Sequence, residues 1–274
     1  MNLVLTGSTS GIGWEKVKSL YPIVTKLILP VRNLEKAKSL LSKFPDQQKI
    51  HLIEMDLADM KSVEKAAKQI ASEFSKIDVL INNAGGMFPA GSRTKDGLDQ
   101  SFAVNHLGPF ILTKILLPNL LAAKGKVIYV SSEAHRIAKV NKADLGLLRS
   151  PNTISAYSNV KLYNILMSRY LVNNYKNQGL TSYSLHPGAV RTAFGSDSGT
   201  ITKALIRATQ LFFISPKKGA ETSIFLATEP FEKLINGAYY VRKKAKSPSS
   251  IAMDTELGKS LWNFSEEILI KILS

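Results

Sequence analysis

The chain has no cysteine, which excludes disulfides, thiolate nucleophiles and zinc–cysteine sites and fits a reducing compartment. It has only four histidines in 274 residues, and no metal-ligand spacing relates them. No uncharged run approaches the ~20 residues that a membrane-spanning helix needs. Internal repeats, low-complexity tracts and linkers are also missing, so one domain is expected. Met1-Asn2-Leu3-Val4-Leu5-Thr6 runs straight into a glycine motif, so no signal peptide is expected. A cytoplasmic location is the expectation, with attachment to a membrane surface as the alternative.

Acidic residues are scarce: 21 against 36 basic ones, for a formal charge of +15. Such a field can attract nucleic acid, anionic lipid or a polyanionic cofactor. The basic residues are mostly lysines spread along the chain, with one short cluster at Arg242-Lys243-Lys244-Ala245-Lys246. No nucleic-acid motif accompanies them, so no nucleic-acid partner is expected. What remains, 45% hydrophobic and 21% charged, is an ordinary globular composition in a chain long enough for a large core.

Apolar runs at 2–6, 26–30, 50–54, 79–81, 127–131, 182–186 and 239–241 read as about seven buried strands. Between them, 13–20, 34–44, 62–74, 98–121 and 156–175 carry the helical period. This alternation predicts an α/β fold of Rossmann type, a doubly wound parallel sheet with helices on both faces. Two segments break the rhythm. One is the long connection 133–154. The other is 188–215, which holds Phe194, Leu205, Leu211, Phe212, Phe213 and Ile214. Both leave from the carboxyl edge of the sheet, where folds of this class bind ligands, and both are candidate pocket walls or lids. Near the end, Leu257, Leu261, Phe264, Ile268 and Ile272 form an apolar stripe at helical spacing over about 254–273. It is expected to pack on the domain or on a second subunit, with a membrane surface or the substrate pocket as alternatives.

Thr6-Gly7-Ser8-Thr9-Ser10-Gly11-Ile12-Gly13 lies between the first strand and the first helix. Glycines there permit a tight turn and close approach of backbone to a pyrophosphate, which the helix N-terminus attracts. The spacing is G-x3-G-x-G, and a ligand-free turn is the competing reading. About 20 residues further on, an acid would accept from an adenosine ribose 2′-hydroxyl and select NAD. Arg32 stands at that point, and a guanidinium suits a 2′-phosphate, so NADP(H) is expected over NAD(H); an exposed loop arginine, with the acid Glu35 nearby, is the competing reading.

Tyr157-Ser158-Asn159-Val160-Lys161 sets a phenol and an ammonium four positions apart, on one face of a helix. That pairing can adapt a phenol, ordinarily near pKa ~10, for proton transfer. The same spacing recurs at Tyr239/Lys243 and Tyr240/Lys244, which begin on an expected strand. Four extended residues span ~13 Å, too far for contact.

With the glycine turn, Asn82-Asn83-Ala84-Gly85, Tyr157-x3-Lys161 and Pro187-Gly188-Ala189-Val190-Arg191-Thr192 in that order, residues 2–241 resemble the short-chain dehydrogenase/reductases. Phe102-Ala103-Val104-Asn105-His106-Leu107-Gly108-Pro109-Phe110 and Ser131-Ser132-Glu133-Ala134-His135 are similar to the retinol dehydrogenase-like branch, as are the long gap from Ser132 to Tyr157 and the late Leu261-Trp262. The resemblance implies a catalytic tetrad of Asn105, Ser132, Tyr157 and Lys161, with Ser131 structural and Asn105 holding an ordered water. It implies a pyrophosphate cradle at Gly7, Ser10, Gly11, Ile12 and Gly13. Asp56 and Leu57 would border the adenine, and Asn83, Ala84 and Gly85 would line the adenosine side, with Asn82 supporting the sheet. Pro187, Gly188, Val190 and Thr192 would hold the nicotinamide end, and Lys161 its ribose. A helix cap at Asp56 and a plain turn at Pro187-Gly188 are the alternatives there. His106 and His135 read as supporting neighbours.

The implied activity is hydride transfer between NADP(H) and a small lipophilic alcohol, aldehyde or ketone. A non-catalytic dinucleotide sensor of the same fold is the alternative. The similar protochlorophyllide reductases usually carry cysteines near the substrate, and this chain has none. Oligomeric state stays open, with a homodimer among the options.

Overall fold

The computed structural model describes residues 1–188 and 214–273. Its strands are β1 (Asn2–Leu5), β2 (Lys26–Val31), β3 (Ile50–Glu54), β4 (Val79–Asn82), β5 (Lys126–Val130), β6 (Thr181–His186), β7 (Tyr239–Val241) and β8 (Lys244–Lys246). They form one sheet in the order β3-β2-β1-β4-β5-β6-β7-β8. The first seven run parallel, and β8 pairs antiparallel with β7. The expected count of about seven strands is therefore one short. Lys244-Ala245-Lys246 has no apolar alternation to announce a strand, and the hairpin turns at Arg242 and Lys243 with φ of 50° and 63°. Such two-residue turns are usually signalled by Asn or Gly, and neither is present.

Side chains alternate across the sheet. Val4, Ile28, Ile53, Leu80 and Val127 enter one core, whereas Leu3, Leu5, Leu27, Leu29, Val79, Ile81 and Ile128 enter the other. The first core is roofed by α3 (Met60–Glu73), α4 (Gly108–Ala122), α5 (Thr153–Tyr175) and α7 (Thr255–Leu273). The second is roofed by α1 (Gly11–Leu20), α2 (Leu34–Leu41) and α6 (Pro216–Thr228). Burial on both faces explains why the strands read as nearly continuous apolar runs. Helix α6 falls outside the sequence expectations, although Ser215 caps it and Pro216 opens it.

One further element differs from expectation. The helix expected over 98–121 is a turn at Gln100–Phe102, a π-turn at Ala103–Leu107 and then α4. The stripe of α7 lies on its own domain. Leu257 and Leu261 are fully buried, and Trp262 sits between Phe110 and Tyr170 at ring separations of 4.8 and 4.3 Å. Among the described residues no helix is long and apolar enough to cross a membrane. The connection 133–154 also packs down: Leu145 and Leu147 are buried, and the Leu145 carbonyl accepts from the Tyr163 hydroxyl at 3.1 Å.

Candidate active site

Strand β1 has β2 on one side and β4 on the other, so connections leave the sheet in opposite directions and open a crevice at its carboxyl edge. The predicted residues gather along that edge. Gly7 to Gly13 follow β1, Arg32 follows β2, Asp56 and Leu57 follow β3, and Asn83 to Gly85 follow β4. Ser132 follows β5, and Pro187 and Gly188 follow β6. Val190 and Thr192, and most of the proposed lid, lie outside the described residues.

The glycine turn is shaped by contacts that no side chain would permit. Gly7 has φ of +68°, and a Cβ on Gly13 would lie 1.8 Å from the Gly7 carbonyl oxygen. The residue at the N-cap of α1, Ser10, is exposed and makes no side-chain cap bond, and the first turn holds no acid. By contrast α2, α3, α5 and α6 are capped by Asn33, Asp59, Asn152 and Ser215. Amides left free at a helix N-terminus suit an anion such as a pyrophosphate. The Asn83 side chain braces the turn from behind, its Nδ2 donating to the Thr6 and Gly7 carbonyls at 2.9 and 3.2 Å. Asn82 instead holds the sheet to α4, with Nδ2 donating to Thr113 Oγ1 at 3.0 Å.

At the adenosine end, Arg32 is exposed, and among the described residues nothing holds its guanidinium. The nearby Glu35 is occupied by Lys38 at 2.9 Å. Asp56 accepts from the Ala58 amide at 2.9 Å, while the cap of α3 is Asp59. Leu57 is buried against Gly108.

At the other end, the two serines after β5 face opposite ways. Ser131 is buried and donates to the Lys161 carbonyl at 2.5 Å. Ser132 is hydrogen-bonded to the Tyr157 hydroxyl, which counters in part the upward push that burial gives the phenol. One helical turn on, the Lys161 ammonium lies 5.4 Å from the Tyr157 ring centre and donates to the Val130 carbonyl at 3.1 Å. Burial lowers Lys161 to about 8. Asn105 sits inside the π-turn, a feature frequent at functional sites. Its Oδ1 accepts from the Gly86 amide at 3.0 Å, and its Nδ2 donates to the Gly86 and Ser101 carbonyls, both at 3.0 Å. A Cβ on Gly85 would lie 2.5 Å from Asn105 Oδ1 and 3.3 Å from Lys161 Nζ. Asn105, Ser132, Tyr157 and Lys161 thus converge on one corner of the crevice, beside Gly85.

The other tyrosine–lysine pairs are spent elsewhere. Tyr239 donates to Glu133 at 2.8 Å, Lys243 pairs with Glu221 at 3.2 Å, and Tyr240 accepts from the Ile235 amide at 2.8 Å. Both tempting histidines hold structure together. His135 Nε2 accepts from the Ser249 amide at 3.0 Å, so Nδ1 carries the proton donated to the Ser132 carbonyl at 2.7 Å. Ser265 donates its hydroxyl proton to the Leu261 carbonyl at 2.7 Å, which leaves His106 Nε2 donating to Ser265 at 2.8 Å.

The sequence reading missed Lys16. This lysine is fully buried behind the glycine turn, and its Nζ donates to Asn83 Oδ1 at 2.7 Å. The available signal was its place in the stripe Gly13, Lys16, Val17, Leu20, the buried face of α1.

Comparison with known proteins agrees with this geometry. Residues 2–200 match the family described as short chain dehydrogenase. The chain is 32% identical to retinol dehydrogenase 14 of Mus musculus, over 99% of this chain and 86% of that protein. It is 34% identical to retinol dehydrogenase 12 of the same species, over 97% and 85%. The crystal structure of a putative uncharacterized protein from Mycobacterium Paratuberculosis superposes with a TM-score of 0.78 at 28% identity, covering 98% of this chain and 92% of that one. With the crevice and its residues in place, the chain belongs to the short-chain dehydrogenase family, in its retinol dehydrogenase-like branch, and is by that membership an NAD(P)-binding oxidoreductase of alcohols and carbonyls.

Proposed function

We propose that the protein is an NADP(H)-dependent oxidoreductase acting between a lipophilic alcohol and its aldehyde or ketone, with Ser132, Tyr157, Lys161 and Asn105 as its proton relay. The observation that carries this reading is the hydrogen-bonded Ser132–Tyr157 pair with the Lys161 ammonium beside it, at the carboxyl edge of the sheet. The retinol dehydrogenase relatives and the apolar segment 188–215 support a lipophilic substrate. Exposed Arg32, with Glu35 already paired, supports NADP(H) through its 2′-phosphate. Gly7, Ser10, Gly11, Ile12 and Gly13 would hold the pyrophosphate. Asp56, Leu57, Asn83, Ala84 and Gly85 would line the adenosine side, and Pro187, Gly188, Val190 and Thr192 the nicotinamide end.

A nicotinamide bound in this crevice supplies the hydride for reduction. The chain's own groups handle the oxygen. Ser132 and Tyr157 hydrogen-bond it as negative charge develops, and Tyr157 delivers the proton. Burial pushes the Tyr157 phenol up, so at neutral pH it holds that proton, the form reduction requires. Lys161 stabilises the phenolate left behind. An ammonium ~4 Å from a phenolate is worth ~1 kcal/mol in water-like surroundings and ~4 kcal/mol at an effective dielectric near ~20. The stabilisation is therefore large only in a partly dry site, and a lid at 188–215, nearly all of it outside the described residues, is the part of this reading that would exclude water. Asn105 would hold the ordered water of the relay, its side chain fixed in place by bonds to Gly86 and Ser101.

Oxidation of NADPH against a panel of medium- and long-chain aldehydes and ketones tests the assignment. Turnover with NADPH at least ~10-fold more efficient than with NADH is expected from the charge-assisted contact at Arg32. A clear preference for NADH would overturn the NADP(H) assignment.

The pH profile follows from Lys161. It is cationic below about 8 and loses its charge above. Reductive kcat should be flat through neutrality and fall as pH rises through about 8. A kcat that keeps rising into the alkaline range would contradict the charged role of Lys161.

A further inference from the structure

Lysine is almost never fully buried unless it is paired. Lys16 is 0% exposed, and among the described residues no carboxylate pairs with it. Among the described residues its hydrogen-bond partner is Asn83 Oδ1 at 2.7 Å. Asn83 passes that contact on, because its Nδ2 donates to the Thr6 and Gly7 carbonyls and its amide donates to Thr6 Oγ1 at 3.0 Å. One helical turn earlier on the same buried face is Gly13, whose approach to the Gly7 oxygen defines the turn. Lys16, Asn83 and the glycine turn are therefore one connected unit. The unit carries a buried basic group and, among the described residues, no carboxylate to balance it.

We propose that Lys16 is a positioning residue of the cofactor site, whose ammonium fixes the glycine turn through Asn83 and supplies, from behind it, positive charge that a bound pyrophosphate balances. The inference rests on the dinucleotide reading given above. An unpaired buried charge is costly, and an anion on the other side of the turn offsets that cost only when it binds. The charged group that bears on Lys16 is the Lys161 ammonium from α5. Among the described residues of β1, β4 and α6, none adds a charge that acts on it. Burial, with a smaller contribution from Lys161, lowers Lys16 to about 7. Near neutrality the free protein therefore holds only part of a proton there. Binding of the dinucleotide favours the ammonium and so takes up protons from solvent near neutrality.

The test is calorimetric titration of NADPH in two buffers of different ionisation enthalpy near pH 7, with wild type, Lys16→Met and Lys16→Gln. Thermal melting of the free proteins is followed in parallel. Wild type is expected to take up protons on binding. Both neutral variants should lose that part of the uptake and bind NADPH at least ~10-fold more weakly, an effect within the usual range for a charge-assisted contact. Lys16→Gln retains an amide donor for Asn83, and its melting temperature should not fall, because an unpaired buried charge has been removed. Should Lys16→Met fail to fold, Lys16→Gln carries the test. Unchanged affinity or unchanged proton uptake in Lys16→Gln overturns the proposal and leaves Lys16 a structural residue. Failure of the wild type to bind NADPH or NADH at all would instead overturn the dinucleotide reading, which keeps the two failures apart.

Discussion

Tyr157→Phe is expected to reduce turnover by about 10³-fold or more while NADPH Kd stays within about twofold of wild type. The change removes one oxygen and leaves the ring over Lys161, whose Nζ lies 5.4 Å from the ring centre. Helix α5 keeps its Asn152 cap, and Lys161 keeps its bond to the Val130 carbonyl, so neither fold nor ammonium is disturbed. What disappears is the proton donor and the partner of Ser132. Single-turnover kinetics with the most active carbonyl of the panel, beside fluorescence titration of NADPH, separates chemistry from binding. Turnover within tenfold of wild type would remove Tyr157 from the mechanism.

Gly13→Ala is the second large effect. Its methyl would start 1.8 Å from the Gly7 carbonyl oxygen, a backbone atom that moves only if the turn moves. The same carbonyl accepts from Asn83, so displacement spreads to the Asn83–Lys16 unit. Overpacking of this kind costs about 1–3 kcal/mol or more in stability. The larger loss falls on binding, because a pyrophosphate needs the backbone close and the α1 amides aimed at it. NADPH affinity should drop at least ~100-fold, with a melting temperature lowered by several degrees. Wild-type affinity in a folded Gly13→Ala protein would show that the turn is not the cradle.

Much of this was legible in the residues because burial writes itself into periodicity. Val4 facing one core and Leu3 and Leu5 the other is the alternation a doubly covered strand must have. Alternation also says that only one of Ser131 and Ser132 can face the crevice; the family resemblance chose Ser132, and the structure puts Ser131 against the Lys161 carbonyl and Ser132 against Tyr157. The misses share a different cause. Strand β8 is held by backbone pairing with β7, and Lys244-Ala245-Lys246 carries no side-chain pattern for it. The π-turn around Asn105 is a shift in backbone hydrogen bonding that residue types do not record. Lys16 stood in plain view in the stripe with Gly13, Val17 and Leu20, but a lysine on a helix is ordinarily assigned to solvent. A buried polar group such as Lys16 runs against the pattern that reveals the core, whereas Tyr157 and Lys161 are legible because their spacing is itself a motif.

Carbonyl reduction in this crevice, beyond the holding of a dinucleotide, is open to direct measurement. The most direct measurement incubates the wild-type protein with NADPH deuterated at the hydride-donating carbon and a long-chain aldehyde, followed by mass spectrometry of the alcohol. The account predicts an alcohol with one deuterium at the carbinol carbon, formed by wild type and lost in Tyr157→Phe. Tight NADPH binding with no deuterated alcohol from any aldehyde or ketone of the panel would contradict it and leave a dinucleotide-binding protein without this chemistry.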